Sequence, residues 1–179
     1  MCSAPVSPSR SSKTQSQGDR AILFEIDQID FGATLANREQ MFELIPHRHE
    51  MALLDRIVWA NESSHRGIAS MKIRGDEFWV RGHFPNKPML PGVLMIEAGA
   101  QLTCYLYNSL QENPQVAAFL RIENAAFRRS VSVGEELFLL CNVVKASSRR
   151  FVSEIQGVVD GHICFEATVS GMRIADIEG

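Results

Sequence analysis

From residue 21 onward the chain is a succession of short runs whose apolar residues recur at every second position, interrupted once by a long stretch that is apolar on nearly every face. In HRGIASMKIRG, Ala69, Met71 and Ile73 alternate with Ser70, Lys72 and Arg74, the period of a half-buried strand. In HICFEATVSG, Ile163, Phe165, Ala167 and Val169 fall on one face. Asp160-Gly161 separates this run from residues 150–159, and Asp-Gly between two apolar runs predicts a tight hairpin. MALLDRIVWA, QVAAFLRIENAAF and ELFLLCNVVKA complete a set of six strands, with polar turns at 61–64 and at Ser147-Ser148. Ahead of them AILFEIDQIDF reads as a further strand. Asn37 caps a short helix that runs from Arg38 to Leu44 and is ended by Pro46.

The long stretch, VLMIEAGAQLTCYLYNSL at 93–110, follows Pro91-Gly92, a plausible helix start. A helix apolar all round belongs in the interior. One buried helix against the concave face of an antiparallel sheet is an α+β layout.

Composition adds limits. Residues 1–20 hold Ser, Gln, Pro, Lys and Arg with almost no large apolar side chains, so they cannot offset their ordering entropy and read as a disordered tail, leaving 21–179 as a single domain. No stretch reaches the roughly 18 apolar residues of a membrane span, and the N-terminus lacks the apolar core of a signal peptide. With 18 Lys+Arg against 21 Asp+Glu, no global basic field draws in nucleic acid. The four cysteines show no zinc-ligand spacing; Cys104, Cys141 and Cys164 lie in apolar runs and read as reduced core thiols of a cytoplasmic protein.

Candidate chemistry gathers around the start of the helix. Glu97 is the sole charged residue in its first four turns, and Gln101 stacks one turn on. Burial raises the pKa of a carboxyl group and keeps it protonated, ready to act as a general acid. Upstream, in RGHFPNKPMLPG, three prolines and two glycines stiffen the loop around His83, a candidate general base. The free N–H groups of Gly92 and Val93 at the helix start suit the negative charge of an enolate.

GHFPNKPMLPGVLMIEAGAQ resembles the signature of the 3-hydroxyacyl-acyl carrier protein dehydratases of the FabZ class, with GHFP, PGVL and EAxAQ elements and fourteen residues from His83 to Glu97. LIPHRHEMALLDRIV and IENAAFRRSVSVGEEL resemble two further elements of that family. The resemblance implies a hot-dog fold, an antiparallel sheet wrapped around a long central helix, assembled as a homodimer or a trimer of dimers. It implies dehydration of (3R)-3-hydroxyacyl-acyl carrier protein to the trans-2-enoyl product in dissociated fatty acid synthesis, with no cofactor beyond the carrier's phosphopantetheine arm. His83 and Glu97 would form a dyad contributed by opposite subunits, with the Gly92 N–H on the thioester carbonyl and Gln101 orienting Glu97. His49-Glu50 stands where the family has Tyr-Pro, and Ser130 and Val133 replace two prolines.

Two rivals remain: a hot-dog acyl thioesterase, which has no use for a base over C2, and a noncatalytic acyl-binding homologue, which has none for the dyad. His47 and His49, read as an i, i+2 pair on a strand, offer two metal ligands but no third nearby, so no metal is assigned. Arg128-Arg129 reads either as a solvated face or as a docking point for the acidic carrier.

Overall fold

The computed structural model of the chain describes residues 21–61 and 65–176. The expected tail, 1–20, lies outside the described residues, as do three positions of the turn expected at 61–64. Seven strands form one antiparallel sheet: β1 (Ala36–Asn37), β2 (Arg56–Asn61), β3 (Arg66–Lys72), β4 (Gln115–Phe127), β5 (Glu136–Ala146), β6 (Arg150–Val159) and β7 (His162–Asp176), in the spatial order β1-β2-β3-β5-β6-β7-β4. Helix α1 (Arg38–Phe42) follows β1 at once, closed by the expected Asn37 cap: the Asn37 side chain accepts from the Gln40 N–H and Gln40 reaches back to the Asn37 N–H. Helix α2 (Gly92–Asn108) lies between β3 and β4 in the chain and packs on the inner face of the sheet, the α+β arrangement expected.

Helix α2 is seated by its sequence. Met95, Ile96, Ala98, Leu102 and Leu106 are buried in the main core with Ile57, Ala69, Leu139, Ile155 and Phe165. At Gly99 a Cβ would stand 2.7 Å from Ile155, so glycine is what lets the helix lie directly on β6. At its C-terminal end the buried Asn108 side chain donates to the Leu44 and Gln115 carbonyls and accepts the Gln115 N–H at 3.1 Å. That one amide ties the ends of three elements together with its own donors and acceptor all paired.

Residues 21–35 are not the strand their alternation suggested. They form an irregular strap across the outer face of the sheet. Phe24 is buried with Val58, Ile68, Leu140 and Val158, its ring 5.9 Å from that of Trp59, and Phe31 meets Phe138 edge to face at 4.8 Å. The Leu23 N–H donates to Gln156 Oε1 at 2.9 Å, and Arg56 donates to the Phe31 and Ala33 carbonyls. The strap's backbone is thus tied by local turns such as Ile29 N–H to the Ile26 carbonyl and by side chains, rather than by a continuous ladder.

It follows that β3 is buried on both faces rather than half-buried: Ile68 faces the strap, Ala69 and Met71 the helix, and Ser70 is fully buried. A second correction falls on β7. The register with β6 slips between Gly157↔Phe165 and Val158↔Ile163, so Ile163 joins the outer cluster while Phe165, Ala167 and Val169 stay in the core. Asp160 and Gly161 form the expected tight turn with φ of 49° and 76°.

The other end of the sheet is open. Among the described residues strand β4 pairs with β7 alone, and Phe119, Leu120, Ile122 and Phe127 along it are each more than 40% exposed.

Candidate active site

The loop that carries His83 is held from within. The His83 N–H donates to the Trp79 carbonyl at 2.9 Å, the Met89 N–H to the His83 carbonyl at 2.9 Å, and Phe84 and Lys87 exchange backbone bonds. Leu90 is pinned to the Val131 carbonyl across a bridge between Met89 and Ser132. The His83 ring stacks on Phe84 at 4.3 Å and places Nδ1 2.9 Å from the Met89 carbonyl oxygen. A carbonyl only accepts, so Nδ1 carries a proton, which selects the tautomer of the neutral ring with the lone pair on Nε2. The half-buried imidazole is thus held at Nδ1, with Nε2 as the ring nitrogen left outside this contact.

Gly92 and Val93 open α2 after Pro91. The first N–H groups of a helix have no acceptor within it, and none is found for these two among the described residues. A Cβ at position 92 would stand 2.6 Å from the Phe127 ring, so the helix start and β4 approach closely only because that residue is glycine.

Glu97, half-buried on α2, lines a small pocket with Ala100 and Cys104 of the same helix, the Ala117–Phe119 stretch of β4, Phe151 and Gly171. Gln101 is fully buried and fully used: its Nε2 donates to Glu97 Oε1 at 2.9 Å and to the Met51 carbonyl at 2.8 Å, while its Oε1 accepts the Leu53 N–H. The structure thus places Gln101 in hydrogen-bond contact with Glu97, the carboxyl it was expected to orient. His47 stands on the other side, Nε2 3.4 Å from the same Oε1. The segment bearing it is braced by Arg48, whose guanidinium donates to the Phe42, Ile45 and His47 carbonyls and lies over the Phe42 ring.

The expectation of a raised Glu97 pKa is overturned. Burial does push the carboxyl upward, but the hydrogen bonds from His47 and Gln101 and the attraction to His47 outweigh it and hold the group below the usual carboxylate value. His47 is the residue that sequence reading missed in this role. It lies fifty positions from Glu97, so no helical or strand spacing links them. The pairing of His47 with His49 fails as well. Neither sits on a strand: His49 opens a 3₁₀ turn (His49–Met51), is exposed, and has φ 53°.

Within one chain no hydrogen bond or ion pair joins His83 to Glu97, and the Glu97 pocket does not include His83. Arg128 and Arg129 are held by carboxylates, Arg128 by Glu166 on β7 and Arg129 by Glu135, which tie down the strand end rather than reaching outward.

Comparison with known proteins places these features in a group. A family model described as a FabA-like domain matches residues 45–168. The 3-hydroxyacyl-[acyl-carrier-protein] dehydratase FabZ of Erwinia tasmaniensis is 36% identical over 141 residues, covering 75% of this chain and 91% of that protein. The enzymes of the same name from Clostridium acetobutylicum and Ralstonia nicotianae are 36% and 33% identical over 137 residues, covering 76% and 74% of this chain and 96% and 83% of those proteins. Among solved structures, the dehydratase heterocomplex ApeI:P from Xenorhabdus doucetiae aligns with a TM-score of 0.64 at 14% identity over 75% of this chain and 90% of that chain. A mutant of the phenylacetic acid degradation protein PaaI from Thermus thermophilus aligns with a TM-score of 0.52 at 15% identity, over 69% of this chain and 96% of that one. These structures share the hot-dog fold with this chain.

Proposed function

The chain belongs to the FabA-like family of 3-hydroxyacyl-acyl carrier protein dehydratases, and on that footing we propose that His83 and Glu97 are its acid–base pair, each subunit of a homodimer lending one of the two to every site. The reaction is the loss of water from a 3-hydroxyacyl thioester in fatty acid synthesis. Nε2 of His83 takes the C2 proton, and the electron pair of that C–H bond becomes the second bond between C2 and C3. The C3–O bond breaks, and the departing hydroxyl takes a proton from the protonated form of the Glu97 carboxyl and leaves as water. The thioester oxygen, negative in the enolate, is met by the Gly92 N–H at the start of α2, with Val93 beside it. The carbon skeleton exchanges no electrons with an outside group, so proton transfer by these side chains accounts for the chemistry.

One observation carries the reading: each half of the pair is prepared, yet the halves do not meet within one chain. His83 has its tautomer fixed by Met89, and Glu97 has one oxygen held by Gln101. The pocket beside Glu97 is walled by the open β4, whose exposed apolar residues and unpaired edge suit a second copy of the same strand. The trimer of dimers is the finer assembly to be tested by mass.

The substrate arrives on an acidic acyl carrier protein, in the cytoplasm, where such carriers work. With Arg128 and Arg129 already paired, the carrier's electrostatic contact falls to Lys145, Arg149 and Arg150 at the β5–β6 hairpin end, all exposed and beside Phe151 of the Glu97 pocket. The test is turnover of a 3-hydroxyacyl thioester, with the enoyl product followed by ultraviolet absorbance and free thiol by a colour reagent. Absorbance without thiol supports the dehydratase, thiol without absorbance the thioesterase, and neither the noncatalytic homologue.

A further inference from the structure

We propose that His47 is a positioning residue for Glu97, which together with Gln101 occupies carboxylate oxygen Oε1 so that the proton given to the leaving hydroxyl is confined to Oε2. The inference rests on the dehydratase reading for the use of that proton, but its geometry stands apart from it. Two nitrogens converge on one oxygen: Gln101 Nε2 at 2.9 Å and His47 Nε2 at 3.4 Å. An amide nitrogen only donates, so Oε1 is the acceptor for both, and His47 presents Nε2–H toward it. A proton on Oε1 would face two donors at once. The acid form of Glu97 therefore carries its proton on Oε2, which has no partner among the described residues and is the oxygen left for substrate.

Among the described residues that line the pocket, His47 is the one basic side chain at that carboxyl. Cys104 on α2 is the other titratable group in the pocket, and burial pushes its thiol up to about 12, so it stays neutral. The contributions of β4, β6 and β7 to the wall are Ala117, Ala118, Phe119, Phe151 and Gly171, none of them titratable. The other ring nitrogen of His47, Nδ1, is buried without a hydrogen-bond partner, so the ring spends its one polar contact on Glu97. Donors on the carboxylate favour the form left after proton transfer, which makes Glu97 a stronger acid at the moment the C3–O bond breaks.

The test compares His47→Leu, which removes the donor, with His47→Gln, which can return one. In the full-length protein the Glu97 carboxyl is followed by carbon-13 NMR across pH, and turnover of a 3-hydroxyacyl thioester is measured beside it. Removing a donor raises the carboxyl pKa. His47→Leu is expected to move the Glu97 midpoint, and the Glu97-governed limb of the pH profile, to higher pH. It should also lower kcat about 100-fold, the scale of a misplaced catalytic group, with KM nearly unchanged. His47→Gln is expected to restore most of both. An unmoved midpoint in His47→Leu overturns the proposal, whether the rate falls or holds. If the wild-type chain dehydrates nothing, the dehydratase reading fails by itself, and the midpoint shift still decides whether His47 sets the carboxyl.

Discussion

The two ends of the sheet are finished in different ways. At the β1–β3 end both faces are covered by the chain itself, α2 inside and the strap of residues 21–35 outside, so that Ile68, Ala69 and Ser70 on successive positions of β3 are all fully buried. At the β4 end a 13-residue strand pairs on one side only and holds Phe119, Ile122 and Phe127 toward solvent. The first end is complete within one chain. The second has the composition of an interface, with aromatic and branched residues exposed along an unpaired edge. The Glu97 pocket is at the unfinished end, lined by β4, and His83 is not part of it. The contrast bears on where the proposed chemistry sits: the closed end is finished by the chain itself, and the open end offers, on the reading proposed above, a half-site for a second copy to complete.

The largest effects belong to that half-site. Replacing His83 or Glu97 by Ala should lower turnover by about 10²- to 10⁴-fold, since each would remove one proton transfer of the proposed reaction, while thermal unfolding stays near the wild type. Near-normal turnover in either variant would mean that the open end holds no chemistry. Next comes the edge. Leu120→Glu with Ile122→Lys should leave a folded chain that sediments as a monomer, with activity falling in step with the dimer fraction. An active monomer would erase the distinction between the two ends.

The closed end should respond in the opposite currency. Phe24→Ala, which empties the strap's main anchor against Trp59 and Val58, should cost about 3 kcal/mol of stability, with turnover per folded molecule unchanged. A loss of turnover at temperatures where the variant is folded would show that the strap takes part in the site. The smallest effect is expected at the hairpin end. Arg149→Glu with Arg150→Glu should raise KM a few-fold for carrier-linked substrate and leave a carrier-free thioester untouched, and salt should shrink the difference because exposed charges are screened over about 10 Å at 0.1 M. Arg128→Ser should show no such selectivity, since its charge is taken up by Glu166.

What the sequence made legible follows the same division. Strands β4, β5 and β6 fall where their apolar runs begin and end, and α2 is found within two residues, because those elements are defined by strong local periodicity closed by turn residues. The strap misled for the same reason: Ile22, Phe24 and Ile26 alternate as in a strand, but alternation records burial on one side and says nothing of a ladder partner. Glu97 and Gln101 were visible as one face of a helix. His47 was not, since its distance to Glu97 is set by how Arg48 folds the 42–47 segment back on itself, and the direction of the Glu97 pKa went with it.

The central claim, one site from two chains, is tested most directly by mixing His83→Ala and Glu97→Ala proteins, each inactive alone, under conditions that allow subunits to exchange. In a mixed dimer one site loses both groups and the other keeps both. The account predicts that activity returns toward one quarter of the wild-type rate per chain, about the share expected when half of the dimers are mixed and each has one intact site. A mixture that exchanges subunits, as shown by mass, yet stays as inactive as its parents would contradict it.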